Sequence, residues 1–353
     1  MSSAPFFSIC VPNYNYGGYI AETIESALNQ PLQDIEVVVA DNASTDNSVE
    51  VVQSLIAKYD NIKLKVNRCN VGFYENLKRS ASMASGEWMT MLSSDDLATP
   101  DAYPTYKKII DELGEIAKRV VLCSNANKID AKSKIIESPK MNVKLWKDAQ
   151  INQALSYKVG ADVWEIDAAL LLKNNLEILR NPLHFATTTY PKTLHEEIEG
   201  YSWGGLINPD RQFVYNLLSV ADKVFYIDKP LFQYRWHDCN QTAQQEHSGA
   251  LKFWIDEYVS TFNLPNRVLE KAGLTREQLA CCFIEQDIAL RGLLALANGQ
   301  RLQARRLVNF GKAAYPVLIR NNEKMFLLRV LLMLGPIGTF IAKQAANLRL
   351  GSQ

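Results

Sequence analysis

The sequence predicts an α/β protein with a mixed, mostly parallel sheet, helices on both faces of that sheet, and a helical C-terminal region. Over residues 1–125, apolar segments of strand length alternate with segments whose apolar residues recur at helical spacing. Such alternation is typical of right-handed β-α-β units, which build parallel sheets. After about residue 248 the helical spacing continues towards the end of the chain. Hydrophobic residues make up 47% and charged residues 22% of the sequence, which indicates a folded globular protein.

The strands are predicted from apolar runs bounded by turn-forming residues, and the helices from their spacing. The predicted strands cover residues 6–11, 35–40, 62–66, 87–92, 119–123 and 224–227. The predicted helices of the first 125 residues cover 20–29, 48–59 and 74–84. Residues 128–199, which several prolines interrupt, are expected to be irregular with a few helices. We therefore expect one α/β domain over residues 1–245 and a helical region over residues 246–353.

The charge balance and the cysteines bear on the class of protein. Lysine plus arginine and aspartate plus glutamate both number 38, so no nucleic-acid partner is expected. The six cysteines show neither a C-x-x-C pair nor a zinc-ligand spacing, and no signal peptide is expected at the N-terminus. These features favour a protein of the reducing cytoplasm.

The most informative stretch is the end of the fourth predicted strand, where an apolar segment leads into a loop that carries Asp95 and Asp96. Open α/β sheets bind ligands at the carboxyl ends of their strands, which is where these carboxylates are expected. Oxygen ligands of this kind suit Mg²⁺ or Mn²⁺, which in turn hold a diphosphate. An isolated Asp-Asp pair more often caps the following helix. Two further loops at the same edge of the sheet favour a ligand site here.

These two loops follow the first and second predicted strands. The first, residues 11–19, is rich in turn formers and carries an aromatic side chain that can stack on a nucleobase. In the second, residues 39–48, Asp41 stands at the strand end and can accept hydrogen bonds from a base or ribose, while Ser44 or Thr45 caps the next helix. The alternative for Asp41 is a helix-capping loop without a ligand. Together the three loops predict a site for a nucleotide diphosphate.

Four motifs follow one another along the first hundred residues. They are Pro12, Asn13, Tyr14 and Asn15, then Asp41 to Asp46, then Asn70, Val71 and Gly72 with Asn76, and finally Ser94, Asp95 and Asp96. In order and spacing they resemble those of the family 2 inverting glycosyltransferases of GT-A fold. The resemblance is close over residues 6–115 and resumes around residues 205–242. It implies donor binding within residues 1–125 and an acceptor side within residues 126–245. The resemblance implies that the Pro12–Asn15 loop and Asp41 hold the nucleotide, that Asn70, Asn76 and Ser94 belong to the donor site, and that Asp95 ligates Mn²⁺ or Mg²⁺.

The acceptor side carries a second part of the resemblance. Asp210 precedes an apolar helix and stands 27 residues before His237, which ends a Tyr-Arg-x-His run. In the family, an acid at a helix start acts as the base and such a run follows. The resemblance therefore implies that Asp210 is the general base. His237 could be a metal ligand or a diphosphate donor, since imidazole binds both, although a lone histidine is more often a surface or packed residue. The alternatives are a favourable helix N-terminal charge at Asp210, and Glu196 or Glu197 as the base.

One position departs from the family pattern. The family often reads Asp-Ser-Asp-Asp, whereas this chain has Ser93 as the first of those four residues. A hydroxyl is a poorer cation ligand than a carboxylate, so the cation would depend on Asp95, diphosphate oxygens and water.

The chemistry that follows is transfer of a sugar from a nucleotide-diphosphate donor to a hydroxyl of a glycan or lipid-linked glycan acceptor. The configuration at the anomeric carbon would invert in one displacement. The role expected for such an enzyme is in bacterial surface polysaccharide synthesis. A nucleotidyltransferase is one alternative, although its first loop should be glycine-rich and basic. A non-catalytic nucleotide-sugar-binding protein is the other, and only Ser93 favours it. The sequence shows no phosphate-binding G-x-x-x-x-G-K-[ST] loop and no G-x-G-x-x-G after the first strand.

The C-terminal region is basic and contains one long apolar run. After residue 300 there are nine basic residues and one acid, Glu323. Residues 325–342 are apolar except for Arg329 and Thr339, but they are too short and too interrupted for a typical spanning helix. One interpretation is peripheral contact with an anionic membrane at the cytoplasmic face of the inner membrane. The other is an ordinary core helix.

Overall fold

The computed structural model describes residues 4–201, 209–237, 255 and 258–350, with backbone alone for residues 348–350. Contacts divide the chain into two units. The N-terminal unit comprises residues 1–172 and 181–250, and the C-terminal unit comprises residues 173–180 and 251–353. The short segment 173–180 therefore groups with the C-terminal part, which the sequence-based division at residue 245 did not anticipate.

The described part of the N-terminal unit contains one sheet of eleven strands. In chain order the strands are β1 (Phe7–Asn13), β2 (Ile35–Asp41), β3 (Ile62–Val66), β4 (Trp88–Met91), β5 (Leu97–Ala98), β6 (Val120–Ile129), β7 (Ile135–Glu137), β8 (Gln150–Ile151), β9 (Val163–Asp167), β10 (Thr189–Pro191) and β11 (Lys223–Arg235).

The sheet has the strand order β3-β2-β1-β4-β10-β6-β11-β9-β8, with β5 paired to β11 and β7 paired to β6. Strands β3, β2, β1 and β4 are parallel to one another, and β6 is parallel to β11. Because β10 runs antiparallel to both β4 and β6, these two parallel groups point the same way. The carboxyl ends of β1, β2, β3, β4, β6 and β11 therefore lie at one edge of the sheet. The predicted α/β class with a mixed, mostly parallel sheet is confirmed.

The three predicted helices of the first 125 residues begin within one residue of their predicted starts and end one to three residues early, whereas the helix over residues 102–113 was not predicted. Helix α1 (Ile20–Leu28) buries Ile20, Thr23, Ile24 and Ala27, which is the spacing that predicted it. The helices of this unit and its border are α1, α2 (Ser48–Ile56), α3 (Phe73–Ser82), α4 (Ala102–Leu113), α5 (Gln153–Val159), α6 (Ala168–Ile178), α7 (Lys192–Glu197) and α8 (Asp210–Val220).

The predicted irregular region is the part of the fold that differs most from expectation. It contributes four strands, among them the central β10, whose three residues are all buried. Strand β11 is also longer than predicted, because it continues through Pro230, where a turn was expected. Register shifts against β6 lie on either side of Pro230. Such irregularities are where a sheet accommodates a proline, which has no backbone donor.

The described residues of the C-terminal unit are helical, as predicted. Six residues of this region were expected from their helical spacing to face inward. Four of them, Leu269, Leu279, Ile284 and Leu307, are buried, whereas Leu290 and Leu293 are only half-buried. None of the described helices combines the length and apolar character that crossing a membrane requires. The helices are α9 (Asn266–Ala272), α10 (Arg276–Phe283), which continues as a π-helix (Ile284–Leu290), α11 (Arg291–Ala297), α12 (Arg301–Ala314), α13 (Glu323–Met333) and α14 (Pro336–Leu350).

Candidate active site

The loops after β1 and β2 are joined through the carboxylate of Asp41. Asn13 Nδ2 donates to Asp41 Oδ2 at 2.7 Å, and Ser44 donates its backbone N–H to Asp41 Oδ1 at 2.9 Å and its hydroxyl to Oδ2 at 2.6 Å. Asp41 is 1% exposed. Since a carboxylate offers about four lone-pair sites, these three bonds leave room for about one donor from a ligand.

The first loop is fixed against the second by backbone geometry. Asn15 has a φ of 59°, and its N–H donates to Ser44 Oγ at 2.9 Å while its Oδ1 accepts from the Thr45 N–H at 2.7 Å. The N–H of Gly17 donates to Asp46 Oδ2 at 2.8 Å. A Cβ at Gly17 would lie 2.1 Å from Asn47 Oδ1, so a larger residue would push the two loops apart.

Two of the residues predicted to bind the nucleotide differ in their exposure to solvent. Pro12 is buried within β1, two residues past the last residue that pairs with β4. Tyr14 is 41% exposed, so its ring is accessible to a ligand.

A network of asparagine amides lies beneath these loops. Asn76 is 2% exposed; its Nδ2 donates to the carbonyls of Ala40 at 2.8 Å and Asn13 at 3.3 Å, and its Oδ1 accepts from Asn67 at 2.9 Å. Asn70 Oδ1 accepts from Asn42 Nδ2 at 2.9 Å. The structure thus places Asn70 and Asn76 in support of the strand ends, with the side chain of Asn76 already bonded to protein.

The loop after β4 meets the end of β11. Strand β5, which follows Asp96 directly, pairs with β11 and so holds this loop beside the residues that follow β11. His237 Nε2 lies 3.1 Å from Asp95 Oδ2, and both side chains are 8% exposed. Ser94 is also buried, at 5% exposure. The sheet topology therefore brings together two residues that lie far apart in the sequence.

Tyrosines from the start of α1 and the loop before it complete the surroundings of His237. The ring of Tyr19 stacks on the imidazole with centroids 5.0 Å apart, and Tyr16 meets it edge-on at 5.8 Å. The first loop, the loop after β4 and the end of β11 therefore all meet at His237.

Arg235 is a residue of this site to which the sequence assigned no role. It is fully buried, and its Nε donates to the Asp95 carbonyl at 2.7 Å while its backbone N–H donates to Asp96 Oδ1 at 2.9 Å. Its guanidinium also donates to Glu22 Oε2 at 2.7 Å and to Ser133 Oγ at 2.9 Å. Arg235 therefore fixes the loop that carries Asp95. The available signal was its place in the Tyr-Arg-x-His run, two residues before His237.

The two adjacent carboxylates differ in their surroundings. Burial raises the pKa of Asp95, and the hydrogen bond with His237 opposes that rise. Burial and the neighbouring charge of Asp95 raise the pKa of Asp96 well above its ordinary value. Because Asp96 accepts from the backbone of Arg235, it has a structural part in the loop, and Asp95 is the carboxylate that faces the imidazole.

We expect Arg235→Ala to lower the free energy of unfolding of the N-terminal unit by about 3–5 kcal/mol. The substitution leaves the buried Asp95 carbonyl without its donor and removes the bonds of the fully buried guanidinium to Ser133 and Glu22. Urea unfolding followed by tryptophan fluorescence measures this. The control is Lys158→Ala, because Lys158 is 52% exposed in a surface pair with Glu112 and its loss should cost less than about 1 kcal/mol. A similarly small loss for Arg235→Ala would contradict its assigned part in the loop.

The predicted base lies on a different element. Asp210 begins α8, and its Oδ1 is buried without a hydrogen-bond donor among the described residues. Burial raises the pKa of Asp210 to about 6. In the parts of the chain that the structure describes, no hydrogen bond joins Asp210 to Asp95 or His237. Glu196 and Glu197, the alternative bases, are exposed residues of α7.

The surroundings of α8 connect with the donor side of the sheet. Phe213 of α8 stacks on Tyr201 with ring centroids 4.2 Å apart. The carbonyl of Tyr201 accepts from the Tyr74 hydroxyl at 2.5 Å. Tyr74 belongs to α3, directly after the loop that contains Asn70. By contrast, Glu197 forms a surface ion pair with Arg119 at 3.0 Å.

Comparisons with known proteins agree with this architecture. Residues 8–165 match the family model described as glycosyl transferase family 2. The structure is similar to that of Staphylococcus aureus TarS 1–349 in complex with UDP-GlcNAc, with a TM-score of 0.62, 18% identity, and coverage of 98% of this chain and 92% of that one. The predicted resemblance to family 2 glycosyltransferases and the predicted GT-A fold class are confirmed.

Curated relatives match over a short part of their own length. Hyaluronan synthase of Pasteurella multocida is 34% identical over 102 residues, which are 29% of this chain and 10% of that protein. Abequosyltransferase RfbV of Salmonella typhimurium is 32% identical over 112 residues, which are 31% of this chain and 34% of that protein. The chain thus matches a tenth of the first relative and about a third of the second.

Proposed function

Since residues 8–165 match glycosyl transferase family 2, we propose that the protein is an inverting glycosyltransferase. It moves a sugar from a nucleotide-diphosphate donor to a hydroxyl of a glycan or lipid-linked glycan in bacterial surface polysaccharide synthesis. The observation that carries this proposal is the meeting of Asp95 and His237 beside the joined loops of Asn13 and Asp41. A UDP-sugar is the first donor to test, because the similar TarS structure is a complex with UDP-GlcNAc.

The residues at the strand ends fit a divalent cation. Ligands about 2.1 Å from an octahedral ion stand about 3.0 Å apart at neighbouring positions, and Asp95 Oδ2 and His237 Nε2 are separated by 3.1 Å. Among the described residues no cluster of three or more histidine, cysteine or acidic side chains is present that could hold a metal ion. The pair therefore suits an ion that completes its ligand set with diphosphate oxygens and water. Such an ion, Mn²⁺ or Mg²⁺, offsets the charge of the departing diphosphate when bound.

The chemistry assigned to the chain itself is positioning and proton transfer. Asp210 accepts the proton of the acceptor hydroxyl while the hydroxyl oxygen attacks the anomeric carbon from the face opposite the diphosphate. With a pKa of about 6, this carboxyl is mainly ionised at neutral pH and remains basic enough to accept a proton. The C–O bond to the diphosphate breaks as the new glycosidic bond forms, so the configuration inverts without a covalent enzyme intermediate.

A panel of nucleotide sugars tests this proposal against its alternatives. Purified full-length protein is incubated with each donor, with and without Mn²⁺, and the released nucleotide is measured. A glycosyltransferase releases a nucleoside diphosphate, through slow hydrolysis or through transfer. A nucleotidyltransferase instead uses a nucleoside triphosphate and a sugar phosphate and releases pyrophosphate. Binding of a nucleotide sugar without turnover under any condition would favour the non-catalytic alternative.

The apolar run of residues 325–342 divides between core and surface, and we propose that its surface side contacts an anionic membrane. The run forms α13 and α14, which bury Met325, Leu328, Leu331, Leu332 and Ala342. Large apolar side chains remain exposed on these helices and in the turn between them, namely Phe326, Leu327, Met333, Leu334, Ile337, Phe340 and Ile341. Combined with the basic excess after residue 300, this surface suits the cytoplasmic face of the inner membrane.

We expect the double variant Ile337→Ser, Phe340→Ser to sediment at least tenfold less with anionic liposomes than the unchanged protein at low salt. These side chains are 64% and 63% exposed, so their loss removes surface and leaves the core intact. The matched control is Ile116→Ser, whose side chain is 62% exposed in the N-terminal unit. Binding should also weaken as salt rises. Equal sedimentation of the double variant and the unchanged protein would contradict membrane contact through this surface.

A further inference from the structure

A cavity of about 360 Å³ in the N-terminal unit lies beside β6 and β11. Small-molecule sites occupy about 300–1,000 Å³ and combine aromatic walls with a few polar groups. The walls of this cavity have that composition, since they include Trp146, Tyr226, Tyr234, His184, Lys128 and Lys140. The reaction described above gives none of these residues a part.

The aromatic walls are fixed by packing. Trp146 is 4% exposed and lies against Tyr226, with ring centroids 5.0 Å apart. His184 meets Tyr234 edge-on at 5.3 Å. Aromatic rings with polar tips offer an apolar face and hydrogen-bonding groups together, which suits a sugar ring with its apolar C–H face and polar hydroxyls.

The polar lining is positively charged overall. The cavity has two ammonium groups, Lys128 and Lys140, and one carboxylate, Glu137. Lys128 lies opposite Glu137 in the β6–β7 register, yet its Nζ is placed 4.0 Å from the ring centroid of Trp236. Within the described ranges neither lysine forms an ion pair. A cation placed over an aromatic face beside a cavity favours a ligand that carries negative charge.

The position of the cavity separates it from the donor loops and joins it to the reaction site. In the sheet, β4 and β10 stand between the donor strand β1 and β6. Lys128, a residue of the cavity wall, lies against Trp236, and the next residue, His237, faces Asp95 with its imidazole. These contacts connect the cavity with the proposed diphosphate site, whereas the nucleotide loops follow strands on the far side of β4 and β10.

We propose that this cavity binds one sugar unit of an anionic acceptor glycan, a unit that carries a carboxylate or a phosphate group. The sugar ring packs on the aromatic walls, and Lys128 and Lys140 face the anionic group. This inference rests on the proposed glycosyltransferase function and adds to it the charge of the acceptor.

Binding of matched disaccharides to full-length protein tests the inference. The probes are a disaccharide with a terminal uronic acid, one with a phosphate group, and the neutral disaccharide of the same linkage, each measured by calorimetry and saturation-transfer NMR. At least one anionic probe should bind tenfold or more tightly than the neutral one, and the better probe identifies the anion. Lys128→Gln and Lys140→Gln should each reduce this preference at least threefold. Lys144→Gln should not, because Lys144 is exposed on the same segment but does not line the cavity.

Titration of each variant with a nucleoside diphosphate distinguishes failure of this inference from failure of the proposed function. Equal binding of neutral and anionic probes, no binding of any probe, or an unchanged preference in both lysine variants would overturn the inference while nucleotide binding persists. Loss of anionic preference in Lys140→Gln would support it even if Lys128→Gln failed to fold, since Lys140 is exposed. Absence of nucleotide binding by the unchanged protein would instead contradict the proposed function.

Discussion

Asp210→Asn is expected to lower turnover by a factor of about 10² to 10⁴, because the amide keeps the shape of the side chain but cannot accept the proton of the acceptor hydroxyl. The KM for the donor should change little. In the unchanged protein, activity should rise with pH through an apparent pKa of about 6, since the base acts only when ionised. The residual activity of the variant should lack that rise. Initial rates at saturating donor, measured between pH 5 and 8, check both points.

Stability provides the control for this variant. Burial raises the pKa of Asp210, so the charged form is disfavoured in the folded state and costs stability at pH values above about 6. The neutral asparagine should therefore leave the protein at least as stable as before at pH 7.5. Glu196→Gln and Glu197→Gln should retain nearly full activity, because both side chains are exposed. If either glutamine variant lost turnover while Asp210→Asn kept it, the base would be misassigned.

Asp95→Ala should lower transfer by a factor of about 10² or more, equivalent to at least about 2.7 kcal/mol of transition-state stabilisation. The substitution removes the carboxylate that faces His237 at 3.1 Å and leaves the bonds that Arg235 makes to the backbone carbonyl of residue 95 and to Asp96. Donor turnover at increasing Mn²⁺ concentration measures the effect. The remaining rate should no longer respond to the cation.

The matched control for this variant is Asp111→Ala. Asp111 is 59% exposed in a helix-surface pair with Lys107, so its loss should leave turnover unchanged. Circular dichroism of both variants should match that of the unchanged protein. Retention of more than about a tenth of the activity by folded Asp95→Ala would contradict the part assigned to this carboxylate.

Local sequence patterns predicted most of the first half of the sheet. Strands β1, β2 and β4 are mainly apolar runs, β3 alternates apolar residues with lysines, and the helices between these strands show clear amphipathic spacing. The same patterns could not predict β5 or β10, which have two and three residues. Such short strands are stabilised by hydrogen bonds to their partner strands, and a short stretch of sequence does not reveal that pairing.

The candidate site shows the same division between local and distant information. Parallel strands end at one edge, so the proximity of the Asp41 and Asp95 loops could be predicted from the order of the elements. The contact between Asp95 and His237 depends on the pairing of β5 with β11, which joins residues more than 130 positions apart. The internal bonds of Asn76 and the buried contacts of Arg235 likewise required the folded structure.

The central claim is that the strand ends form a nucleotide-sugar site whose cation is bound by Asp95 and His237. A crystal structure of the full-length protein with Mn²⁺ and the nucleoside diphosphate released in the donor panel tests it most directly. An anomalous manganese peak is expected within ligand distance of Asp95 Oδ2 and His237 Nε2, with the base against the loops of Asn13 and Asp41. A nucleotide bound elsewhere, or manganese bound away from both side chains, would contradict the account.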